Sequence, residues 1–155
     1  MITKEEVKKA QSDWASGIVE IGKTKGDPSK CKKLTKDFLY NLYDFREGSV
    51  QFKPTKASIH QFRNNLNAAM SYFIGNNKSF SEDKGFALTP WKEVLFENDS
   101  IILHENIATA MGNYYFKDKS GKKIKVEYTL VYIKRNRGEI KIVLHHSSLP
   151  YNLNQ

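Results

Sequence analysis

Cysteine is almost missing from this sequence. Cys31 stands alone among 155 residues, which excludes an internal disulfide and any zinc site built from several thiolates. Proline and glycine are sparse, at four and nine, so neither a proline-rich linker nor a glycine-rich repeat is present. No apolar run approaches the roughly 20 residues that a membrane-crossing helix needs. The opening stretch, MITKEEVKKAQSDW, is charged and has no apolar core segment, so no secretory signal is read there and a cytoplasmic location is expected. Walker, dinucleotide-binding and G-x-S-x-G motifs are all absent. Hydrophobic residues, at 39%, and aromatic residues, at 12%, suffice for a core at this length, and a single domain over residues 1–155 is expected.

Acidic charge is the minority, with 17 Asp and Glu against 25 Lys and Arg, a net charge of +8. Such an excess raises the question of nucleic acid. The lysines are scattered, however. Lys4, Lys8, Lys9, Lys30, Lys32, Lys33 and Lys36 lie in the N-terminal third, while Lys119, Lys122, Lys123, Lys134, Arg135 and Arg137 flank turns. This spread argues for solvated faces and against a nucleic-acid interface. The positive field still favours a small anion.

The first half of the chain has helical spacing. Thr3 and Glu6 form a T-x-x-E capping box, followed by Val7, Ala10, Trp14, Ile18 and Ile21, with Gly22 or Gly26 as the stop. Asp27-Pro28 opens a second helix carrying Cys31, Leu34, Phe38, Leu42 and Phe45, stopped by Gly48. SVQFKPT reads as a short strand ended by Pro54. Ile59, Phe62, Leu66, Met70 and Phe73 predict a third helix closed at Gly75. The second half alternates like strands: WKEVLFEND, SIILHEN, TAMGNYYFKD, KIKVEYTLVYIKR and GEIKIVLHHS. Turn residues are placed at Asn98-Asp99, Asp118 to Gly121 and Asn136 to Gly138. The expectation is an α+β fold, three helices on a curved antiparallel sheet, forming a cone with an internal cavity. Lys125 to Lys134 is apolar on both faces, which predicts helices on one side and a second subunit on the other.

LHHSSLP, residues 144–150, is the most unusual stretch. Strand alternation pairs His145 with Ser147 and His146 with Ser148. Strict alternation from Ile140, Ile142 and Leu144 aims His146 and Ser148 at the core, and a bulge would reverse this. Neighbouring histidines on a strand face opposite ways, which works against a shared metal ion. His60 and His104 are the other candidate ligands, without H-x-H or H-x-x-x-H spacing. Thr55 reads either as a helix N-cap or as a hydroxyl at a cavity rim. Tyr72 reads either as a core aromatic or as a phenol facing a ligand.

Several segments together narrow these alternatives: FKPT from Phe52, Phe62-Arg63, SYFIG from Ser71, DKGFAL from Asp83, Pro90-Trp91, FEN from Phe96, AMGNYYF, VEYT from Val126 and HHSSLPY from His145. In this order they resemble the iota-class carbonic anhydrases, a cyanobacterial and algal type built on a nuclear-transport-factor-2-like cone. The resemblance runs from about Val50 to Tyr151. It implies reversible hydration of carbon dioxide to bicarbonate, no cofactor and no bound metal. Site residues carried over by the motifs are Thr55, Tyr72 and Ser147, which would bind the substrate, with His145 beside them. On that reading Ser147 and Thr55 orient the attacking water, Tyr72 donates to the oxygen that gains charge, and His145 accepts the proton. A homodimer formed through the sheets is expected, with no membrane or nucleic-acid partner. The competing reading is a non-catalytic cone-shaped module that binds a small anion or assembles subunits.

Overall fold

Helix α1 spans Lys4–Gly22 and begins at the expected capping box in the computed structural model, which describes residues 1–154. The Thr3 hydroxyl accepts the Glu6 N–H at 3.2 Å, and the Glu6 carboxylate accepts the Thr3 N–H at 2.9 Å. Helix α2, Pro28–Leu42, is capped by Asp27, which accepts the Lys30 N–H. It stops at Leu42, short of the expected run through Phe45. Tyr43 turns to extended backbone and bridges to Ile142, so pairing with the sheet replaces another helical turn.

Strand β1, Gln51–Lys53, ends at Pro54 as expected. The third helix is shorter than its apolar spacing predicts. Helix α3 spans only Leu66–Ile74, capped by Asn65, and Ile59 and Phe62 lie exposed in the loop before it. Glu82 is the reason. Its carboxylate accepts the N–H groups of Ser58, Ile59 and His60 at 2.8–2.9 Å, holding that segment out of helical geometry. Thr55 is therefore no helix cap.

Behind that loop lies a buried ion pair. The Arg63 guanidinium is fully buried and donates to both Asp83 carboxylate oxygens at 2.7 Å, and to Glu82 at 3.2 Å. The Ser71 hydroxyl donates to Asp83 at 2.5 Å. Phe62-Arg63, SYFIG and DKGFAL are thus three parts of one frame. Two glycines complete it. Gly75 and Gly85 have φ of 66° and 81°, and a Cβ on Gly75 would sit 3.1 Å from the Gly85 nitrogen. The frame sets α3 against the short turn Phe86–Leu88.

The sheet has the order β1-β5-β4-β3-β2 and is not closed. Strands β2 (Trp91–His104), β3 (Ile107–Asp118), β4 (Lys123–Lys134) and β5 (Ile140–Ser148) form an antiparallel meander, and β1 joins β5 in parallel. The expected turn at Asn98-Asp99 is instead a bulge inside one long strand. Gly112 makes room for it, since a Cβ there would land on the Glu97 carbonyl oxygen. The real reversal is at Glu105, in left-handed backbone with φ 47°. The other two turns fall where the sequence places them.

Helix α1 lies along β2, and α2 packs on α3. Ala108, Ala110, Tyr114 and Phe116 of β3, with Val126, Tyr128, Leu130 and Tyr132 of β4, all point inward and are buried. They meet Trp14, Ile18, Leu39, Phe52 and Phe73 in one apolar cluster that joins helices and sheet. Small residues oppose large ones across the strands: Ala110 pairs with Leu130 and Ala108 with Tyr132. Among the described residues no helix is long and apolar enough to cross a membrane.

Candidate active site

Strand β5 determines which histidine looks inward. Val131 pairs with Leu144 and Tyr132 with Ile142, leaving Val143 as an extra residue. This bulge inverts the alternation. Ile142 is buried, and after the bulge His145 and Ser147 are buried while His146 is exposed. Of the two registers that the sequence permits, the bulged one is realised. His60 and His104 are exposed, and neither lines the cavity described below. Among the described residues no three His, Cys, Asp or Glu side chains gather around a point that could hold a metal ion.

His145 and Ser147 open onto a small cavity. Its walls are Trp14, Phe52, Pro54, Thr55, Tyr72, Phe73, Phe86, Tyr114, His145 and Ser147. The volume open to the centre of a water-sized sphere is about 10 Å³, room for roughly one water molecule. The residues Thr55, Tyr72, His145 and Ser147, singled out in the sequence, thus line one void. They reach it from different elements. Pro54 ends β1 and turns Thr55 inward, the frame around Asp83 holds the α3 face bearing Tyr72, and the β5 bulge presents His145 and Ser147.

Four side chains at this site carried no functional reading in the sequence. Tyr114 comes from β3, and its hydroxyl bonds to the Ser147 hydroxyl and lies 3.1 Å from His145 Nε2. Tyr43, just past α2, places its hydroxyl 2.8 Å from His145 Nδ1 and accepts the Trp14 indole N–H at 2.9 Å. The Phe52 ring stacks on the His145 ring at 5.0 Å and 18°. Tyr114 and Phe52 had a signal only as members of the AMGNYYF and FKPT segments. Trp14 and Tyr43 look like any core aromatic.

Burial governs the chemistry of these groups. It pushes the Tyr72 and Tyr114 phenols above the ordinary tyrosine range, partly countered by the Lys56 N–H at Tyr72 and by the Ser147 hydroxyl at Tyr114. The Thr55 hydroxyl lies beside both phenols and acts in the same direction. Both phenols are neutral at physiological pH. Burial, with a smaller contribution from His146, lowers His145 to about 3. Its ring is neutral, and both ring nitrogens already face hydroxyl groups. Imidazole's ordinary titration near neutrality, the basis for expecting His145 to collect the proton, is lost here.

The Tyr72 and Phe86 rings stack at 5.5 Å and 17°. Both also line a wider pocket of about 290 Å³ with Lys56, Glu82, Asp83, Lys84, Gly85 and Thr89. The small cavity therefore lies one aromatic layer from an open vestibule. A larger groove between α1 and β2, about 540 Å³, lacks such a cluster of inward hydroxyls.

A sequence profile of the family described as metal-independent carbonic anhydrase matches residues 5–149. The metal-independent carbonic anhydrase of Nostoc sp. (strain PCC 7120) is 42% identical over 154 residues, covering 97% of this chain and 75% of that protein. The crystal structure of the iota-carbonic anhydrase from a cyanobacterium, complexed with bicarbonate, superposes with a TM-score of 0.92 at 40% identity, covering 97% of this chain and 94% of that one. A nuclear transport factor 2-like superfamily protein from Salmonella enterica shares the fold alone, with a TM-score of 0.57 at 15% identity over 97% of this chain and 92% of that one. The similarity visible in the sequence from Val50 onward therefore extends back through both N-terminal helices. By profile, by identity over nearly its whole length and by superposition, this chain belongs to the iota-class, metal-independent carbonic anhydrase family.

Proposed function

We propose that the reaction of this family, CO2 + H2O ⇌ HCO3− + H+, takes place in the cavity between Thr55, Tyr72, Tyr114 and Ser147. One observation carries the reading. Hydroxyl groups from four separate segments converge on a void of about one water molecule, and every other wall but His145 is aromatic or proline. A dry wall suits carbon dioxide, and the hydroxyls suit its hydrated product. That the cyanobacterial relative was crystallised with bicarbonate supports the reaction.

Free water has a pKa of about 15.7, and zinc lowers it to about 7 in zinc carbonic anhydrases. Hydroxyl groups give no such shift. What they offer is position and a fixed field. The Thr55 oxygen accepts a hydrogen bond from the attacking water and turns its lone pair toward the carbon. As the C–O bond forms, one C=O electron pair moves onto its oxygen, which gains negative charge. The Tyr72 hydroxyl already accepts the Lys56 N–H at 3.3 Å, so its proton is free for that oxygen. The proton leaving the water passes to solvent in the vestibule, since His145 is too weak a base to hold it.

Stopped-flow hydration with a pH indicator tests this assignment. Tyr72→Phe is expected to lower kcat by about 100-fold, the loss seen when one donor to a developing oxyanion is removed, and Ser147→Ala, which takes away another hydroxyl of the cavity, is expected to lower it as well. Full activity in both variants would overturn it. A non-catalytic anion-binding module would give no rate above background in the unaltered protein.

The homodimer belongs to the same proposal. Leu95, Ile102, Ile107 and Met111 are exposed, and strand pairing puts them on the outer face of the sheet. A second copy covers this face. Analytical ultracentrifugation should give twice the chain mass for the unaltered protein and a monomer for Ile102→Glu with Met111→Glu; a monomeric unaltered protein would refute it. The cytoplasmic location expected from the sequence is tested by fractionating source cells.

A further inference from the structure

We propose that Trp14 and Tyr43 hold His145 as a single neutral tautomer, protonated at Nε2, and that this tautomer makes the Tyr114–Ser147 pair a hydrogen-bond donor toward the cavity. The second half rests on the cavity being the hydration site; the first stands on hydrogen-bond accounting alone.

The Trp14 indole nitrogen can only donate, and it lies 2.9 Å from the Tyr43 oxygen. Tyr43 is fully buried, so its own proton needs an acceptor. The remaining partner of that oxygen is His145 Nδ1, at 2.8 Å. Tyr43 therefore donates, and Nδ1 carries the lone pair. The His145 ring is enclosed by Trp14, Tyr43, Phe52, Tyr114 and Ser147, and among the described residues no carboxylate bonds to it to support a second proton. Its one N–H is on Nε2.

Nε2 faces two oxygens, Tyr114 Oη at 3.1 Å and Ser147 Oγ at 3.0 Å, which are also bonded to each other. One of these hydroxyls donates to the other. The Nε2–H goes to one of the two oxygens, so Nε2 accepts nothing. The receiving hydroxyl's own proton can go neither to Nε2 nor back to its donor, and it has only the cavity to point into. The opposite tautomer would reverse this. An unprotonated Nε2 would accept the spare hydroxyl proton, and the pair would present lone pairs to the cavity. Ring protonation on the far side of the site thus decides whether the near side repels or stabilises a negatively charged oxygen. Trp14 and Tyr43 are positioning residues that touch no substrate. Ser147 moves from orienting the water to holding the charged oxygen, and the water is left to Thr55.

Two-bond 1H–15N correlation spectra of histidine-labelled protein read the tautomer directly. The expected result is an Nδ1 shift of the lone-pair type and an Nε2 shift of the N–H type for His145, unchanged on adding bicarbonate. A protonated Nδ1, an averaged ring or an imidazolium would overturn the proposal. Tyr43→Phe removes the donor to Nδ1. It is expected to mix the tautomers and to lower kcat by about tenfold, the low end of the loss seen when the hydrogen-bond partner of a metal-bound histidine is removed. Retention of the single Nε2–H form with full activity in Tyr43→Phe would also overturn the proposal. The spectrum of the unaltered protein decides the first half even where that variant fails to fold. The expected tautomer in a protein without hydration activity would sink the functional assignment and leave the tautomer standing.

Discussion

Replacing Asp83 by alanine tests the frame that carries Tyr72. The Asp83 side chain is 1% exposed and the Arg63 side chain 0%. Asp83 accepts two guanidinium bonds at 2.7 Å and the Ser71 hydroxyl at 2.5 Å. Removing it leaves a buried cation whose nearest remaining carboxylate is Glu82, at 3.2 Å. Breaking one side of a buried pair in this way costs about 3–5 kcal/mol. For a chain of this size, each kcal/mol lowers Tm by about 2–4 °C, so the expected drop is about 6–20 °C. The contrast is a surface pair. Lys33 and Asp37 are also 2.7 Å apart, but their side chains are 79% and 47% exposed. Asp37→Ala should therefore cost no more than about 0.5 kcal/mol. Urea and thermal denaturation of both variants supply the measurement, with one transition expected because helices and sheet share one core cluster. Equal losses in the two variants, or a loss below about 1 kcal/mol for Asp83→Ala, would refute the reasoning that burial rather than distance sets the size of the effect.

Gly112→Ala drives a methyl group into the β2 backbone at the Asn98 bulge and should cost about 1–3 kcal/mol by urea denaturation; an unchanged midpoint would mean that the bulge shifts freely. Because His145 is lowered to about 3 in the fold, the unfolded chain takes up its proton first as pH falls below 6.5. That residue alone should remove about 2 kcal/mol of stability between pH 7 and pH 5, and His145→Gln should abolish this part of the loss. The idea fails if the two proteins lose stability equally over that range. Dialysis against EDTA should leave hydration activity unchanged, whereas a loss restored by zinc would overturn the metal-independent reading.

Local signals were readable without tertiary structure. The Thr3–Glu6 box, the Asp27-Pro28 start, Pro54 ending β1 and the turns near Gly121 and Gly138 each depend on residues within a few positions of one another. Alternating apolar residues in β3 and β4 show which face is buried, because the period of a strand is two wherever no residue is inserted. The order of the motifs was enough to point to the family and to Thr55, Tyr72, His145 and Ser147. Elsewhere, partners distant in sequence overrode local preference. Glu82 holds Ser58 to His60 out of the helix that their spacing suggests, and Gly112 turns an Asn-Asp reversal into a bulge. The extra residue at Val143 makes His145, rather than His146, the inward histidine.

The sequence by itself determined the class of fold, the reach of most elements and, through the family resemblance, three of the four hydroxyls that line the cavity, Tyr114 being the one it did not single out. Tertiary structure alone decided the hydrogen-bonding state of those hydroxyls. Trp14, Tyr43, Tyr114 and His145 come from four separated segments, and composition gives no hint that they form one chain of donors. The physical reason is that a donor or acceptor role in a buried network belongs to the whole set of neighbours, each of which has one proton or lone pair to place.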